Sequence, residues 1–248
     1  MKLVVCVNHV PDTETKVNVG EDGKKINPSG VNWMLNPYDE YAIEEALRLK
    51  EKNGGEVIAL SLGGDAHKET LRKSLAMGVD KAMLLKDDTM RDSFGIGKAL
   101  ADAIKEMSAD VIFFGKQSID YYDEQLPGIV GELLNMPSVS AVVKMEIMEG
   151  KVRCEREIEG GHETIETTLP VVISAQKGLN EPRYPSLKGI MGAKSKPIEE
   201  KIPQAITPKV ETLAMHKPIA ARAKKIVGTD ETAVAELIRL LHEEAKVI

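Results

Sequence analysis

The pattern that decides the fold is the stretch Asp110-Val111-Ile112-Phe113-Phe114-Gly115-Lys116-Gln117-Ser118-Ile119-Asp120. Its first half is an uninterrupted apolar run, which is typical of a strand that is buried on both faces of a sheet. Its second half is polar and predicts a loop at the carboxyl end of that strand. Because a helical pattern follows at residues 126–134, the stretch predicts one strand-loop-helix unit of a parallel sheet.

The same unit recurs toward the amino terminus. Apolar runs predict strands at residues 3–7, 57–60 and 81–85, and amphipathic stretches predict helices at residues 68–77 and 93–107. This alternation of strands and helices favours a doubly wound, mostly parallel sheet of the Rossmann-like α/β class, with right-handed crossovers.

Two further elements are predicted between the first two strands. Residues 16–19 and 24–26 flank a glycine turn and predict an exposed hairpin. A strong helix should begin at Pro37, with Asn36 in the position of its cap.

The pattern changes after residue 137. Residues 138–148, 151–158 and 162–169 predict an insertion of antiparallel strands, and residues 170–174 predict a buried strand that returns to the main sheet. From residue 178 onward the chain is rich in proline and predicts an irregular, extended arm.

The arm ends in a predicted helix over residues 230–245. Val234, Leu237, Ile238 and Leu241 fall on one face of this helix, and such an apolar face must bury against a surface. The pattern leaves open whether that surface belongs to a partner subunit or to the chain's own domain.

Composition narrows the class of protein. The 33 Lys and Arg residues and the 39 Asp and Glu residues give a net charge of −6, which argues against a general nucleic-acid binder. Two cysteines cannot form a disulfide framework. No apolar run approaches the roughly 20 residues of a membrane span, and no signal peptide is evident. We therefore expect a cytoplasmic protein without a membrane span.

Several chemical signatures are missing. The sequence has no Gly-x-Gly-x-x-Gly fingerprint, no P-loop and no Gly-x-Ser-x-Gly motif. Its five histidines are far apart in the sequence and lack metal-ligand spacing, so no metal site is expected. The sequence predicts neither a hydrolase nor a metalloenzyme.

The loops at the carboxyl ends of the strands are the best candidate site. If the strand at residues 3–7 and the strand at residues 110–115 are neighbours at the switch point, their loops form one crevice. Gly63, Gly64 and Gly115 would let a flat ligand approach the backbone, or they simply make turns. The start of the helix after Gln125 is suited to a phosphate group.

A specific motif lies beyond this site, at Leu179-Asn180-Glu181-Pro182-Arg183-Tyr184-Pro185-Ser186-Leu187-Lys188-Gly189-Ile190-Met191-Gly192-Ala193-Lys194. It resembles the signature of the electron transfer flavoprotein β subunit. Similar stretches occur at residues 35–42, 75–82 and 115–120. The resemblance covers about residues 1 to 200, in the family's order.

The resemblance implies an electron carrier subunit rather than a stand-alone enzyme. Members of this family pair with an α subunit that holds most of one FAD, and the β subunit buries a structural AMP. The heterodimer passes electrons from acyl-CoA or related dehydrogenases to a quinone reductase or another acceptor. By this resemblance, residues 1–177 form the nucleotide-binding domain, residues 178–200 recognise a partner, and residues 201–248 dock on the α subunit.

The crevice argument and the resemblance together give the candidate cofactor-binding residues. They lie on the loops that follow the strands and on the start of two helices: Cys6, Asn36, Pro37, Tyr38, Asp39, Leu62, Gly63, Gly115, Gln117, Ser118, Ile119, Asp120, Gln125, Leu126, Pro127, Gly128 and Ile129. Many relatives have a Gln-Thr-Gly run at this phosphate-binding helix start. Leu126 and Pro127 depart from it, with the loss of one hydroxyl and one backbone N–H.

Four apolar residues of the signature are the candidate partner-binding residues: Tyr184, Leu187, Ile190 and Met191. Leu187 corresponds to the apolar anchor with which the family's recognition loop contacts a dehydrogenase, and we expect it on a mobile loop. Tyr38 corresponds to an aromatic residue near the flavin of the α subunit, although local packing is an equally simple interpretation.

Two alternatives remain at the level of the sequence. In the electron-bifurcating class of the same family, the AMP pocket holds a second FAD and meets NADH. That class typically has small residues where this chain has Tyr121-Tyr122-Asp123-Glu124. A free-standing nucleotide-binding sensor, akin to universal stress proteins, would use the same sheet.

Overall fold

The computed structural model describes residues 1–218 and 225–248, which divide into two compact units, Met1–Ala214 and Met215–Ile248. Residues 219–224 belong to the arm predicted from residue 201 onward and lie outside the described residues. The strands are β1 (Lys2–Cys6), β2 (His9–Pro11), β3 (Trp33–Leu35), β4 (Glu56–Gly63), β5 (Lys81–Lys86), β6 (Val111–Gly115), β7 (Ser138–Met148), β8 (Lys151–Ile158), β9 (Gly161–Thr168), β10 (Val171–Ala175) and β11 (Ile198–Lys201).

The helices are α1 (Pro37–Asn53), α2 (His67–Met77), α3 (Ser93–Lys105), α4 (Leu126–Leu134), α5 (Leu187–Ser195) and α6 (Ala233–Arg239), and a π-helical turn at Leu240–Glu244 follows α6. The boundaries of β1, β5 to β10 and α1 to α4 agree with the sequence prediction to within about two residues, and β4 extends three residues beyond its predicted end. Among the described residues, no helix is long and apolar enough to cross a membrane.

Nine strands form one sheet in the order β11-β5-β4-β1-β6-β10-β7-β8-β9. The strands from β11 to β7 are mutually parallel, and β8 and β9 extend the sheet in antiparallel fashion. This arrangement confirms the predicted α/β class with its antiparallel insertion. It also confirms that β10 returns to the main sheet, where it lies between β6 and β7.

Two apolar cores cover the two faces of the sheet, as a doubly wound fold requires. Alternate residues of β1 point to opposite faces, so that Leu3 packs with α1 and α2 on one side and Val4 packs with α3 on the other. The central residues Phe113 and Ile112 of β6 divide in the same way and are fully buried.

The order of strand formation reverses beside β1. The chain builds β4 and β5 on one side of β1 and then places β6 on its other side. A crevice therefore opens between the carboxyl ends of β1 and β6, where ligands bind in open parallel sheets. This is the switch point that the sequence predicted.

Two sequence predictions were wrong in part, and one strand pairing was missed. The hairpin predicted at residues 16–19 and 24–26 is reduced to a single antiparallel bridge between Val19 and Ile26, because this exposed segment has no apolar face to pack. The short pairing of β2 with β3 was not predicted. The terminal helix starts three residues later than predicted, because α6 covers Ala233–Arg239 and continues as the π-helical turn Leu240–Glu244.

A larger error concerns the region after residue 178, which is not irregular throughout. It contains α5 and also β11, which adds a parallel strand to the outer edge of β5. The sequence of β11 is Ile-Glu-Glu-Lys, and an edge strand of four mostly charged residues gives no apolar signal.

Candidate functional site

The carboxylate of Asp39 lies at the centre of the crevice and has no exposed surface. It accepts hydrogen bonds from the backbone N–H of Asn8 at 2.7 Å and of Gly115 at 3.1 Å. It also accepts from the side-chain amides of Asn8 at 3.1 Å and Asn36 at 2.9 Å. One side chain of α1 therefore joins the chain leaving β1 to the end of β6.

Asn36 extends the same network and is also fully buried. Its Nδ2 donates to the carbonyl of Gln117 at 2.9 Å, and its Oδ1 accepts from the N–H of Ile119 at 3.3 Å. Asn36 occupies the cap position of α1, as predicted, but its side chain makes no capping hydrogen bond, because the loop after β6 engages that amide instead. We call these two residues the Asn36–Asp39 latch.

The latch carries a titratable group inside the protein. Burial raises the pKa of Asp39 to about 7, although the hydrogen bonds from Asn36, Asn8 and Gly115 act in the opposite direction. Every polar side-chain atom of Asn36 and Asp39 is hydrogen-bonded within the chain. The latch therefore fixes the positions of the loops that form the crevice.

Two of the predicted glycines are required by close packing. A Cβ atom at Gly115 would lie 2.3 Å from the Oδ1 of Asp39 and 2.7 Å from the backbone of Tyr38. At Gly63, where φ is +155°, it would lie 2.2 Å from the Nε2 of His67. Both contacts leave room only for hydrogen, so these glycines do more than make turns.

The loop after β6 presents the residues that remain available to a ligand. Ser118 and Gln117 are half-buried, and Asp120 and Gln125 are more exposed. Gly128 lies in the first turn of α4 and has open space where a Cβ atom would be. These positions lie between the carboxyl end of β6 and the first turn of α4, and the segment they belong to is bound to the latch through Gln117 and Ile119.

The acidic residues of that loop are engaged with neighbouring groups. Asp123 accepts a hydrogen bond from the hydroxyl of Ser93, and Glu124 lies 3.6 Å from the ammonium group of Lys116. Their charges are therefore partly balanced within the loop.

Cys6 and Leu62 lie near the carboxyl ends of β1 and β4 and belong to the apolar core on one face of the sheet. Cys6 is buried in the core, and burial raises the pKa of its thiol well above the ordinary value. Cys6 is therefore a small core residue rather than a reactive thiol. Leu62 is half-buried and packs on the same core.

A cluster of rings beside the crevice was missed at the level of the sequence. His9 stacks on Trp33 with ring centroids 5.0 Å apart, and His67 lies 5.1 Å from His9. His9 bonds to Thr70, and His67 bonds to Ser61 at 3.0 Å. The two histidines are separated by 58 positions in the sequence, so only the pairing of β1 with β4 brings them together.

Burial disfavours the charged form of both imidazoles. It lowers the pKa of His67 to about 4, and the neighbouring His9 acts in the same direction. Burial also lowers the pKa of His9, against the effect of the Glu69 charge. No group of three or more metal-ligating side chains occurs among residues 1–218 and 225–248.

Comparison with known proteins identifies the family. The model of the electron transfer flavoprotein domain matches residues 24–205. The electron transfer flavoprotein subunit beta of Bacillus subtilis is 42% identical over 259 aligned residues, with all of both chains covered. The subunits of Syntrophomonas wolfei and Mus musculus are 40% and 36% identical and are covered to 98% and 96% of their lengths.

The chain belongs to the electron transfer flavoprotein β-subunit family. Its role is that of a subunit in flavin-dependent electron transfer, and membership implies an α-subunit partner. The fold described above is consistent with this family.

The signature segment of the family differs from the mobile loop that was predicted. Leu187 begins α5, and the hydroxyl of Ser186 caps this helix by accepting from the N–H of Gly189 at 3.0 Å. Tyr184, Leu187 and Met191 are 96%, 82% and 73% exposed. Ile190 is less exposed, at 43%. We call these four residues the apolar patch of the signature; their contact with a partner stays a prediction.

Proposed function

We propose that this chain is the β subunit of a heterodimeric electron transfer flavoprotein, which binds AMP in the crevice and completes the FAD site of its α subunit. The observation that carries the proposal is the Asn36–Asp39 latch. It holds the loops after β1 and β6 together at the switch point of a parallel sheet, which is where such sheets bind nucleotides.

The donors at the mouth of the crevice suit a phosphate group. The first turn of α4 offers backbone N–H groups at the positive end of the helix dipole, and Gly128 leaves space beside them. Pro127 has no N–H to contribute, but the Ser118 hydroxyl and the Gln125 amide are suitable replacements. AMP would be held by these groups, with its base toward Cys6 and Leu62.

FAD, when bound between the subunits, would accept and release electrons. This chain would contribute Tyr38 and apolar cover from its C-terminal residues, which exclude water from the isoalloxazine ring. In this proposal, residues 178–200 recognise an acyl-CoA or related dehydrogenase. A quinone reductase or another acceptor receives the electrons, in the cytoplasm.

Ligand analysis of the purified heterodimer tests this proposal. We expect mass spectrometry of the released ligands to find one FAD and one AMP per heterodimer. Two FAD molecules and no AMP would favour the bifurcating class. A nucleotide-loaded chain that forms no complex with any α subunit would favour a sensor.

A substitution sharpens the assignment of the AMP phosphate. Gly128→Asp places a carboxylate at the open start of α4, so we expect AMP occupancy to fall at least about tenfold through charge repulsion. Gly192→Asp is the matched control, because Gly192 is also helical and also has open space around it. Equal AMP content in both variants would contradict a phosphate at α4.

A second substitution tests partner recognition. Leu187→Ala removes the most exposed aliphatic side chain of the apolar patch, and loss of such an anchor typically costs about 1–3 kcal/mol of docking energy. We expect a roughly tenfold lower kcat/KM for reduction of the heterodimer by an acyl-CoA dehydrogenase. Ile158→Ala, at an exposed position on β8, is the control and should leave the rate unchanged.

A further inference from the structure

The signature segment is attached to α1 by one arginine that reaches two glutamates. The guanidinium of Arg183 binds Glu44 through its Nε at 2.8 Å and its Nη2 at 3.1 Å. It binds Glu51 through its Nη1 at 2.6 Å and its Nη2 at 3.2 Å. The backbone N–H of Arg183 also donates to Glu44. Such a fork between two carboxylates fixes direction as well as distance.

Glu44 is almost completely buried, which makes this contact unlike an ordinary surface ion pair. Burial alone would raise the pKa of Glu44, but the hydrogen bonds from Arg183 and Arg48 outweigh it and hold the pKa below its ordinary value. Two guanidinium groups, those of Arg183 and Arg48, each lie 2.8 Å from the Glu44 carboxylate and together balance its charge. Glu51 lies on the exposed side of the same guanidinium.

The residues on either side of Arg183 are fixed as well. Asn180 donates to the carbonyl of Tyr41 at 3.0 Å and to Glu45 at 2.9 Å. Beyond Arg183, α5 rests on α2, where the Arg72 guanidinium bonds to the carbonyl of Ala193. Only Tyr184 and Pro185 separate Arg183 from the cap of α5.

The apolar patch is therefore presented from a rigid frame rather than from a flexible loop. We propose that Arg183 is a positioning residue that holds Tyr184 and Leu187 in the orientation in which the patch docks on another protein. This inference rests on the proposed function for the identity of that protein, an acyl-CoA dehydrogenase. Arg183 does not contact the partner in this proposal and acts only through the patch.

A preformed patch docks more tightly because less chain has to be ordered on binding. Arg183→Lys keeps the charge beside Glu44 but cannot form the fork to both glutamates. Glu51→Gln breaks only the exposed half of the fork and leaves Glu44 paired. Both variants should fold, because neither leaves an unpaired charge in the buried position.

The test is a double-mutant cycle on the purified heterodimer, with a purified acyl-CoA dehydrogenase as reductant. We expect Arg183→Lys to raise the KM for the heterodimer about three- to tenfold with kcat within twofold, and Glu51→Gln to act in the same direction but less. In a Leu187→Ala background, Arg183→Lys should add less than about twofold, since the two residues act as a unit. Full additivity of the two substitutions would overturn the proposal.

Hydrogen exchange on the same proteins provides a readout that needs no partner. Arg183→Lys should accelerate exchange of the amides of residues 184–191, while the flavin content stays unchanged. Lys50→Gln is the matched control, because it breaks an ion pair of α1 with Asp80 and should affect neither KM nor this exchange. Unchanged exchange in Arg183→Lys would overturn the proposal. If the wild-type heterodimer accepts no electrons from the dehydrogenase, the proposed function fails, whereas the exchange result still decides the role of Arg183.

Discussion

The crevice and the C-terminal unit differ in how far their side chains are buried and paired within the chain. In the crevice, Asp39 and Asn36 have no exposed surface and find every partner within the chain. In Met215–Ile248, Val234 and Ile238 are 65% and 54% exposed. The ion pairs of Arg239 in that unit reach only Glu236 and Glu243, three and four residues away.

The difference teaches where each region obtains its stability. The polar groups of the crevice are already paired within the chain, so a substitution there should mainly reduce the free energy of unfolding. The C-terminal unit has local ion pairs of little energetic value and apolar side chains that still require a surface. A substitution in that unit should mainly weaken the affinity for a second subunit.

The largest expected effect comes from removing the centre of the latch. Asp39→Ala leaves the N–H donors of Asn8, Asn36 and Gly115 without an acceptor, so we expect a loss of about 3–5 kcal/mol in the free energy of unfolding. Urea denaturation measures it. Asp65→Asn, at an exposed carboxylate paired with Lys68 and Lys86, should cost less than about 1 kcal/mol; equal losses would contradict a central role for the latch.

The second-largest loss of stability is expected from disturbing the close packing at Gly115. Gly115→Ala pushes a methyl group into Asp39 and Tyr38, and we expect a loss of about 2–4 kcal/mol from overpacking and the broken network. Gly128→Ala is the matched control, since it has open space in α4 and alanine favours a helix by up to about 1 kcal/mol. Urea midpoints of the two variants should therefore move in opposite directions.

The pH dependence of the free energy of unfolding is expected to be of intermediate size. His67 and Asp39 contribute to it with opposite signs. The unfolded chain protonates histidine near pH 6.5, whereas folded His67 does so only near pH 4. The unfolded state therefore binds more protons in this window, and His67 lowers stability as the pH falls through it. Asp39 does the reverse between pH 7 and 3.8, because its carboxyl protonates at a higher pH in the folded protein than in the unfolded chain.

Replacing His67 separates its contribution to the pH dependence from that of Asp39. His67→Asn keeps a donor for Ser61 but cannot take up a proton, so the variant should gain about 1–3 kcal/mol relative to the wild type as the pH falls from 6.5 to 4. Unfolding curves at several pH values measure this difference. A constant gap between variant and wild type across that window would show that His67 titrates normally.

The smallest effect on the chain by itself is expected in the C-terminal unit. Leu237→Ser should change the free energy of unfolding by less than about 0.5 kcal/mol, because Leu237 is half exposed. In the heterodimer, the same change should raise the dissociation constant about tenfold or more, if the α subunit covers this face. A large loss of stability in the isolated chain would mean that the two regions do not differ as described.

The sequence predicted the sheet and its helices because their signals are local. The run Val111–Gly115 and its counterparts are apolar over several consecutive residues, and the glycines and prolines at their ends mark the turns. The prediction that β1 and β6 meet at a crevice also came from topology rules that apply to any such alternation. The charged edge strand β11 and the short helix α5 have no comparable local signal.

Within the site, the sequence identified the loops but not the contacts that hold them. Asn36 and Asp39 remain predicted cofactor-binding residues, and their bonds to Gln117, Ile119 and Gly115 join residues about 80 positions apart. Arg183 and Glu44, like His9 and His67, are also far apart in the sequence and meet only in the folded chain. Local propensity carries no information about which distant donor will satisfy a buried carboxylate.

The amino-acid sequence by itself determined the α/β class, the position of the crevice and the signature that resembles one family, since periodicity and motif depend only on neighbours along the chain. Only the tertiary structure decided that the side chains of Asn36 and Asp39 bind the loops after β1 and β6, and that Arg183 joins the signature segment to α1. The physical reason is that a buried polar group takes the partner that folding brings within about 3 Å, wherever that partner lies in the sequence.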